Sequence, residues 1–298
     1  MKLQKGLKVV LNLWDGVRFD AIFKVHQWMG LPNIHYLIKN GTFYTNVFTH
    51  TPVLTPMAVG RIMKDKHGKF ISMSLHEKSN GQIKSCFVGY PEEGIHRVPD
   101  WIPHCNYIGD ILYNRKEEQR ILKYGTPAEK GKLMFHRIQY PDKLRMDVGC
   151  KMIPKYDFTF VYFVEPDESA HYCRDHKKHI YHYGSPYVHA IKNCDNLLQH
   201  LINTLEWCAK NNYILIVVAD HGMTDEGRHS VAKWNDEEVM RVPLVIFGKG
   251  IRKNWIERTH YYTHDITSGI VGLFNDTTKG TIFQWAMEKY ADGNLNKD

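Results

Sequence analysis

Short apolar runs alternate with stretches of helical spacing along most of the chain. Val9-Val10-Leu11-Asn12-Leu13-Trp14, the core of "YDFTFVYFVEPDESAH" and Ile214-Leu215-Ile216-Val217-Val218 are apolar at successive positions. Such runs predict strands buried on both faces. "TFYTNVF" and "VPLVIFGKGI" add two strand-like segments by their β-branched and aromatic content. Between them, "DGVRFDAI" turns into a helix, and "LPNIHYLIKNG" predicts a second, with Pro32 near its start and Gly41 at its stop. "TPMAVGRIM" predicts a third, with Thr55 as N-cap and Pro56 at the first helical position. Val188, Ile191, Leu197, Leu198, Leu201, Ile202 and Leu205 recur at helical spacing and predict one long helix. "HDITSGIVGLF" and "TIFQWAMEKYA" are read as closing helices, and the residues after "YFV" as a polar loop.

This alternation predicts an α/β fold, a mainly parallel central sheet with helices on both faces. Residues 65–150 break the pattern. They hold turn formers, aromatics (Tyr90, Trp101, Tyr107) and a charged helical stretch, "NRKEEQRIL". The expectation is one catalytic domain over residues 1–298 with a cap inserted at about 65–150. Aromatics in such a region form its own core more often than they stack a base.

With 43% hydrophobic residues among 298, a sizeable core is assured and disorder is excluded as a description of the whole. The formal charge of +7 is spread along the chain and favours anionic partners; nucleic acid is compatible with it but has no motif behind it. No apolar segment is long enough to span a bilayer, so no membrane partner is expected. The six cysteines form no CxxC pair and no secretory leader is evident, which fits reduced thiols and a cytoplasmic location. Nothing bears on the oligomeric state.

Chemistry concentrates at strand ends, where open α/β sheets gather ligands. The first strand delivers Asp15, the middle one Asp167 and His171, the later one Asp220 and His221, with His229 eight residues on from His221. A single strand-end aspartate is usually a turn former, but three strands ending in acidic residues, two of them with histidine, are not easily accidental. Carboxylate oxygen combined with imidazole nitrogen suits Zn²⁺, with Mn²⁺ second.

In order and spacing, "LNLWDGVRFDA", "LPNIHYLIKNGTFYTNVFTHTPVLTPMAVGRIM", "YFVEPDESAH" and "VVADHGMTDEGRHS…VPLVIFGKGI" resemble the core motifs of the alkaline phosphatase superfamily. The nearest branches are nucleotide pyrophosphatase/phosphodiesterases, sulfatases and phosphoethanolamine transferases. The resemblance implies two divalent metal ions, one held by Asp15, the nucleophile, Asp220 and His221. The other would take Asp167, His171 and His229, with His264 the alternative to His229. It also implies a hydroxyl nucleophile. The sulfatase register places Leu54 at that position, which disfavours sulfatase chemistry, and a shift by one selects Thr55, which would also touch a metal. Thr51 is the alternative.

The implied activity is metal-dependent hydrolysis of a small anionic phosphate ester, perhaps a nucleotide, by a phosphodiesterase or nucleotide pyrophosphatase. Phospho-group transfer, monoester hydrolysis and a silent nucleotide-binding relative are the competing readings. Among other residues, Asn12, Arg18, Asp20 and Asp195 read as structural contacts. Lys64, Lys66 and His67 read as a solvated face.

Overall fold

The computed structural model describes residue 4 and residues 6–64, 67–89, 105–108, 123–124, 126, 141–229 and 236–290. The expected charged helix at "NRKEEQRIL", the side chains of Tyr90, Trp101 and Tyr107, and Lys66 lie outside the described residues. The strands are β1 (Lys8–Trp14), β2 (Thr42–Phe48), β3 (Ser85–Val88), β4 (Cys105–Ile108), β5 (Phe158–Phe163), β6 (Tyr213–Val218), β7 (Arg241–Gly248), β8 (Trp255–Glu257) and β9 (Tyr261–Tyr262). They form one sheet in the order β4-β3-β5-β1-β6-β7-β2-β8, with β9 also on β2. Pairing is parallel from β4 through β6, β7 is antiparallel to both neighbours, and β8 and β9 run parallel to β2.

The helices are α1 (Ala21–Met29), α2 (Pro32–Asn40), α3 (Thr55–Ile62), α4 (Ile71–Lys78), α5 (Pro141–Met152), α6 (Glu165–Asp175), α7 (Pro186–Ala209), α8 (Glu237–Met240) and α9 (Asp265–Asn275). They fall into two groups. α1, α2, α5 and α6 pack on α7, while α3 and α4 pack on α9. β5 and β6 are buried at every residue, so both faces of the sheet centre are covered, as their unbroken apolar runs require. No helix among the described residues is long and apolar enough to cross a membrane.

Four expectations are corrected. The described parts of residues 65–150 are largely core: β3 pairs parallel with β5, β4 with β3, and α5 packs against β5, so any cap is smaller than that segment. The stretch after β5 is the helix α6 and not a loop. It carries no Ser, Thr or Asn cap of its own. Its first amides, Val164 and Glu165, are met by the two oxygens of Asp142 at 2.8 and 2.9 Å, from a distant element.

Thr55 is the first residue of α3, and Leu54, in extended backbone, is its N-cap. Finally, "TIFQWAMEKYA" forms turns and a short 3₁₀ segment in place of an α-helix. Its backbone pairs instead with the 250–252 segment, Arg252 N–H donating to Ala286 O and Glu288 N–H to Gly250 O.

Asp195 illustrates how α7 fixes the N-terminal helices. Its fully buried carboxylate accepts the Ile34 N–H at 2.8 Å and so caps the start of α2. Asp195→Ala is expected to cost about 1–2 kcal/mol of stability, and Asp195→Asn less, as read from urea denaturation midpoints.

Candidate metal and phosphoryl-transfer site

Registry across the sheet centre builds the site. Trp14 stands opposite Phe163 and Leu13 opposite Val218, so β5, β1 and β6 end side by side. Asp15 follows β1, Asp167 lies in the first turn of α6, and Asp220 and His221 follow β6. Asp167 and His171 share one face of α6, four residues apart, with His171 Nε2 3.4 Å from Asp167 Oδ2. His229 Nε2 lies 3.2 Å from His171 Nε2 and 3.5 Å from Asp167 Oδ1. His221 Nε2 lies 3.4 Å from both Asp15 Oδ1 and Asp220 Oδ2. Thr55 Oγ1 stands 3.1 Å from the same His221 nitrogen.

Each histidine is oriented by the backbone. His171 Nδ1 lies 3.0 Å from Gly227 O, His221 Nδ1 3.0 Å from Gly222 O, and His229 Nδ1 2.8 Å from Val53 O. A carbonyl can only accept, so each Nδ1 carries the proton, and each Nε2 presents a lone pair to the cluster. Outer partners of this kind fix the tautomer of metal-binding histidines. Gly227 has φ +71°, and a Cβ there would stand 2.1 Å from Ala170 O of α6. Only glycine lets this loop lie on the helix that carries His171.

The carboxylates are placed with the same economy. Asp220 Oδ1 accepts the N–H groups of Gly16 at 3.2 Å and His221 at 2.9 Å, and Asp15 Oδ2 accepts the Tyr162 hydroxyl in a short hydrogen bond. The remaining oxygens, Asp15 Oδ1 and Asp220 Oδ2, and Asp167 Oδ1 as well, are buried with no hydrogen-bond partner. Burial and mutual repulsion raise the Asp15 and Asp167 carboxyls well above their usual range. Burial pushes Asp220 up to about 6 and His171, His221 and His229 down to about 4.

Three orphaned oxygens facing three imidazole lone pairs fit divalent cations and little else. Two donor groups emerge, Asp167, His171, His229 and Asp15, Asp167, His221, each with its ligand atoms within 4.8 Å of one another.

Thr55 is thus brought to the cluster, and Thr51 is not: its carbonyl accepts from Arg61 at 3.2 Å. His229 is in the cluster, whereas His264 has its ring nitrogens 3.1 Å from His50 and 3.6 Å from Asp265. Pro56 has no N–H, and the Met57 and Ala58 amides return to Leu54 O. Of the first-turn amides of α3, that of Thr55 is left to meet an anion.

Buried Arg18 spends its charge on Asp20, Asp225 and Glu238. Asn12 bonds Trp14 Nε1 and Val161 O, Lys64 lies over Phe70, and His67 is exposed. Sequence reasoning missed Tyr162, Asp142 and the three carbonyls. Tyr162 left a signal, a single hydroxyl inside an otherwise apolar strand.

Residues 73–265 match the type I phosphodiesterase / nucleotide pyrophosphatase family, and the chain belongs to that family of phosphate-ester hydrolases. The match begins beyond Asp15 and Thr55, which the fold ties to the matched ligands. No curated protein sequence matches the chain.

Similar solved structures include a variant of the alkaline phosphatase PafA, at TM-score 0.66 and 10% identity over 94% of this chain and 98% of that one. Murine ectonucleotide pyrophosphatase/phosphodiesterase 5 gives TM-score 0.53 and 17% identity, covering 90% and 95%. An alkaline phosphatase superfamily protein from Vibrio parahaemolyticus gives 0.59 and 13%, covering 92% and 67%. At such identities the likeness shows the fold, which is that of the alkaline phosphatase superfamily.

Tyr162→Phe removes one hydroxyl that fixes Asp15. It is expected to weaken divalent-ion binding roughly 10–100-fold with the fold retained, as measured by isothermal titration beside circular dichroism.

Proposed function

We propose that this chain hydrolyses diester or pyrophosphate linkages of small phosphate compounds, nucleotides among them. In this reading Thr55 is the nucleophile, and two divalent ions, Zn²⁺ or Mn²⁺, are held by Asp15, Asp167, His171, Asp220, His221 and His229. The observation that carries it is Thr55 Oγ1 at 3.1 Å from His221 Nε2, at a helix start and beside buried carboxylates that lack partners. A neighbouring solved structure, the murine phosphodiesterase in an inactive threonine-to-alanine form, is in complex with AMP. That supports both a threonine nucleophile and a nucleotide-sized substrate.

When bound, the ions supply the positive charge that makes a threonine hydroxyl an effective nucleophile and offsets charge on the transferring phosphoryl group. The chain supplies position. Leu54 in extended backbone starts α3 so that Thr55 faces His221, and the dipole of α3 favours an anion there. Thr55 Oγ1 forms a bond to phosphorus as the ester oxygen leaves. Water then cleaves the phosphothreonine ester, and the two steps add up to hydrolysis.

Charge favours a diester over a monoester. Three carboxylates against two divalent ions leave one positive charge, matched to a monoanion, and the nearby Arg18 is already neutralised by its acidic partners.

The test is hydrolysis of bis-p-nitrophenyl phosphate, p-nitrophenyl thymidine monophosphate and p-nitrophenyl phosphate, with and without chelator. Chelator-sensitive cleavage of the two diesters is expected, and Thr55→Ala should lower kcat/KM for them at least about 10³-fold with ion content unchanged. A Thr55→Ala protein as active as the parent would remove Thr55 from the mechanism.

A further inference from the structure

Asp167 differs from the other two carboxylates of the cluster. Asp15 has one oxygen committed to the Tyr162 hydroxyl, and Asp220 has one committed to two backbone amides, so each offers a single oxygen. At Asp167 both oxygens face imidazole nitrogens, Oδ2 toward His171 at 3.4 Å and Oδ1 toward His229 at 3.5 Å. Its Oδ1 is buried with no hydrogen-bond partner among the described residues. Asp167 is also the one residue common to the two donor groups, the second of which adds Asp15 and His221.

Backbone packing brings it there. Gly16, directly after Asp15, has φ +69°, and a Cβ on it would stand 3.0 Å from Asp167 Cα and 3.1 Å from Asp167 Cβ. The turn after β1 therefore lies against the first turn of α6, with no side chain between Asp15 and Asp167. Two dications held close together repel strongly, and a carboxylate between them offsets that repulsion more than one at either flank.

We infer that Asp167 is a shared ligand serving both ions, whereas Asp15 and Asp220 each serve one. The inference rests on the metal reading proposed above. It makes loading of the two positions interdependent: losing His229 removes one ion, and losing Asp167 removes the hold on both.

The test uses the full chain, stripped of metal and reloaded with Mn²⁺, with ion content by plasma mass spectrometry and electron paramagnetic resonance as readouts. Wild type is expected to bind two ions per chain with an exchange-coupled spectrum. His229→Ala should keep one ion, with the spectrum of isolated Mn²⁺. Asp167→Asn should bind both ions weakly, by more than the roughly 10–100-fold that losing an outer partner costs.

Two ions without exchange coupling in wild type, or one ion retained at wild-type affinity in Asp167→Asn, would overturn the sharing and leave the metal reading intact. No bound ion in wild type would overturn both. Should Asp167→Asn fail to fold by circular dichroism, the wild-type spectrum decides.

Discussion

Three carboxylates buried together at the centre of the sheet are the constraint around which the molecule is arranged. Asp15, Asp167 and Asp220 lie at the adjacent ends of β1, β5 and β6, away from water. Two like charges about 4 Å apart repel by about 4 kcal/mol even at an effective dielectric of 20. The protein alone does not resolve this: the amides, the Tyr162 hydroxyl and the histidine nitrogens satisfy part of each carboxylate and leave one oxygen bare. The raised carboxyl pKa values and lowered histidine pKa values are the same statement in protons. Cations replace the missing protons and give every bare oxygen a partner.

Around that charge the scaffold is stiff in a particular way. Val53, Gly222 and Gly227, the carbonyls that orient the three histidines, come from the loop before α3 and from two points in the loop after β6. Val53 is two residues before Thr55, so the segment that orients His229 also leads directly into the candidate nucleophile. On the other side, Asp142 caps the helix bearing Asp167 and His171, and Arg145 bonds Asp142 at 3.1 Å while lying over the Tyr162 ring. Tyr162 in turn holds Asp15. Both halves of the cluster are therefore braced by α5, an element at the far edge of the segment with the weakest sequence pattern.

That distribution explains what could be read in advance. β1, β5 and β6 announce themselves by apolar runs, and their terminal Asp and Asp-His residues are local features, so the sheet centre and the ligand residues were legible. The start of α6 was not, because its cap comes from Asp142, more than twenty residues earlier. The same holds for Thr55: a threonine before a proline looks like an N-cap, but Leu54 takes that position and the hydroxyl turns toward His221. At 281–287 the apolar spacing mimics a helix, and pairing with residues 250–252 overrides it. β3 and β4 are four-residue strands separated by sequence with no periodic signal, and only their pairing to β5 reveals them as core.

Gly16 joins these threads. Its N–H donates to Asp220, its carbonyl accepts the Tyr187 hydroxyl from α7, and its bare Cα rests on Asp167. One peptide after Asp15 thus touches the elements that carry the other two carboxylates and the long helix behind them. A side chain there would face a left-handed backbone and the backbone of α6 at once. The pair Asp15-Gly16 reads in isolation as an ordinary turn at the end of a strand. In the fold it sets how closely the three acids approach, and hence how strongly the site calls for cations.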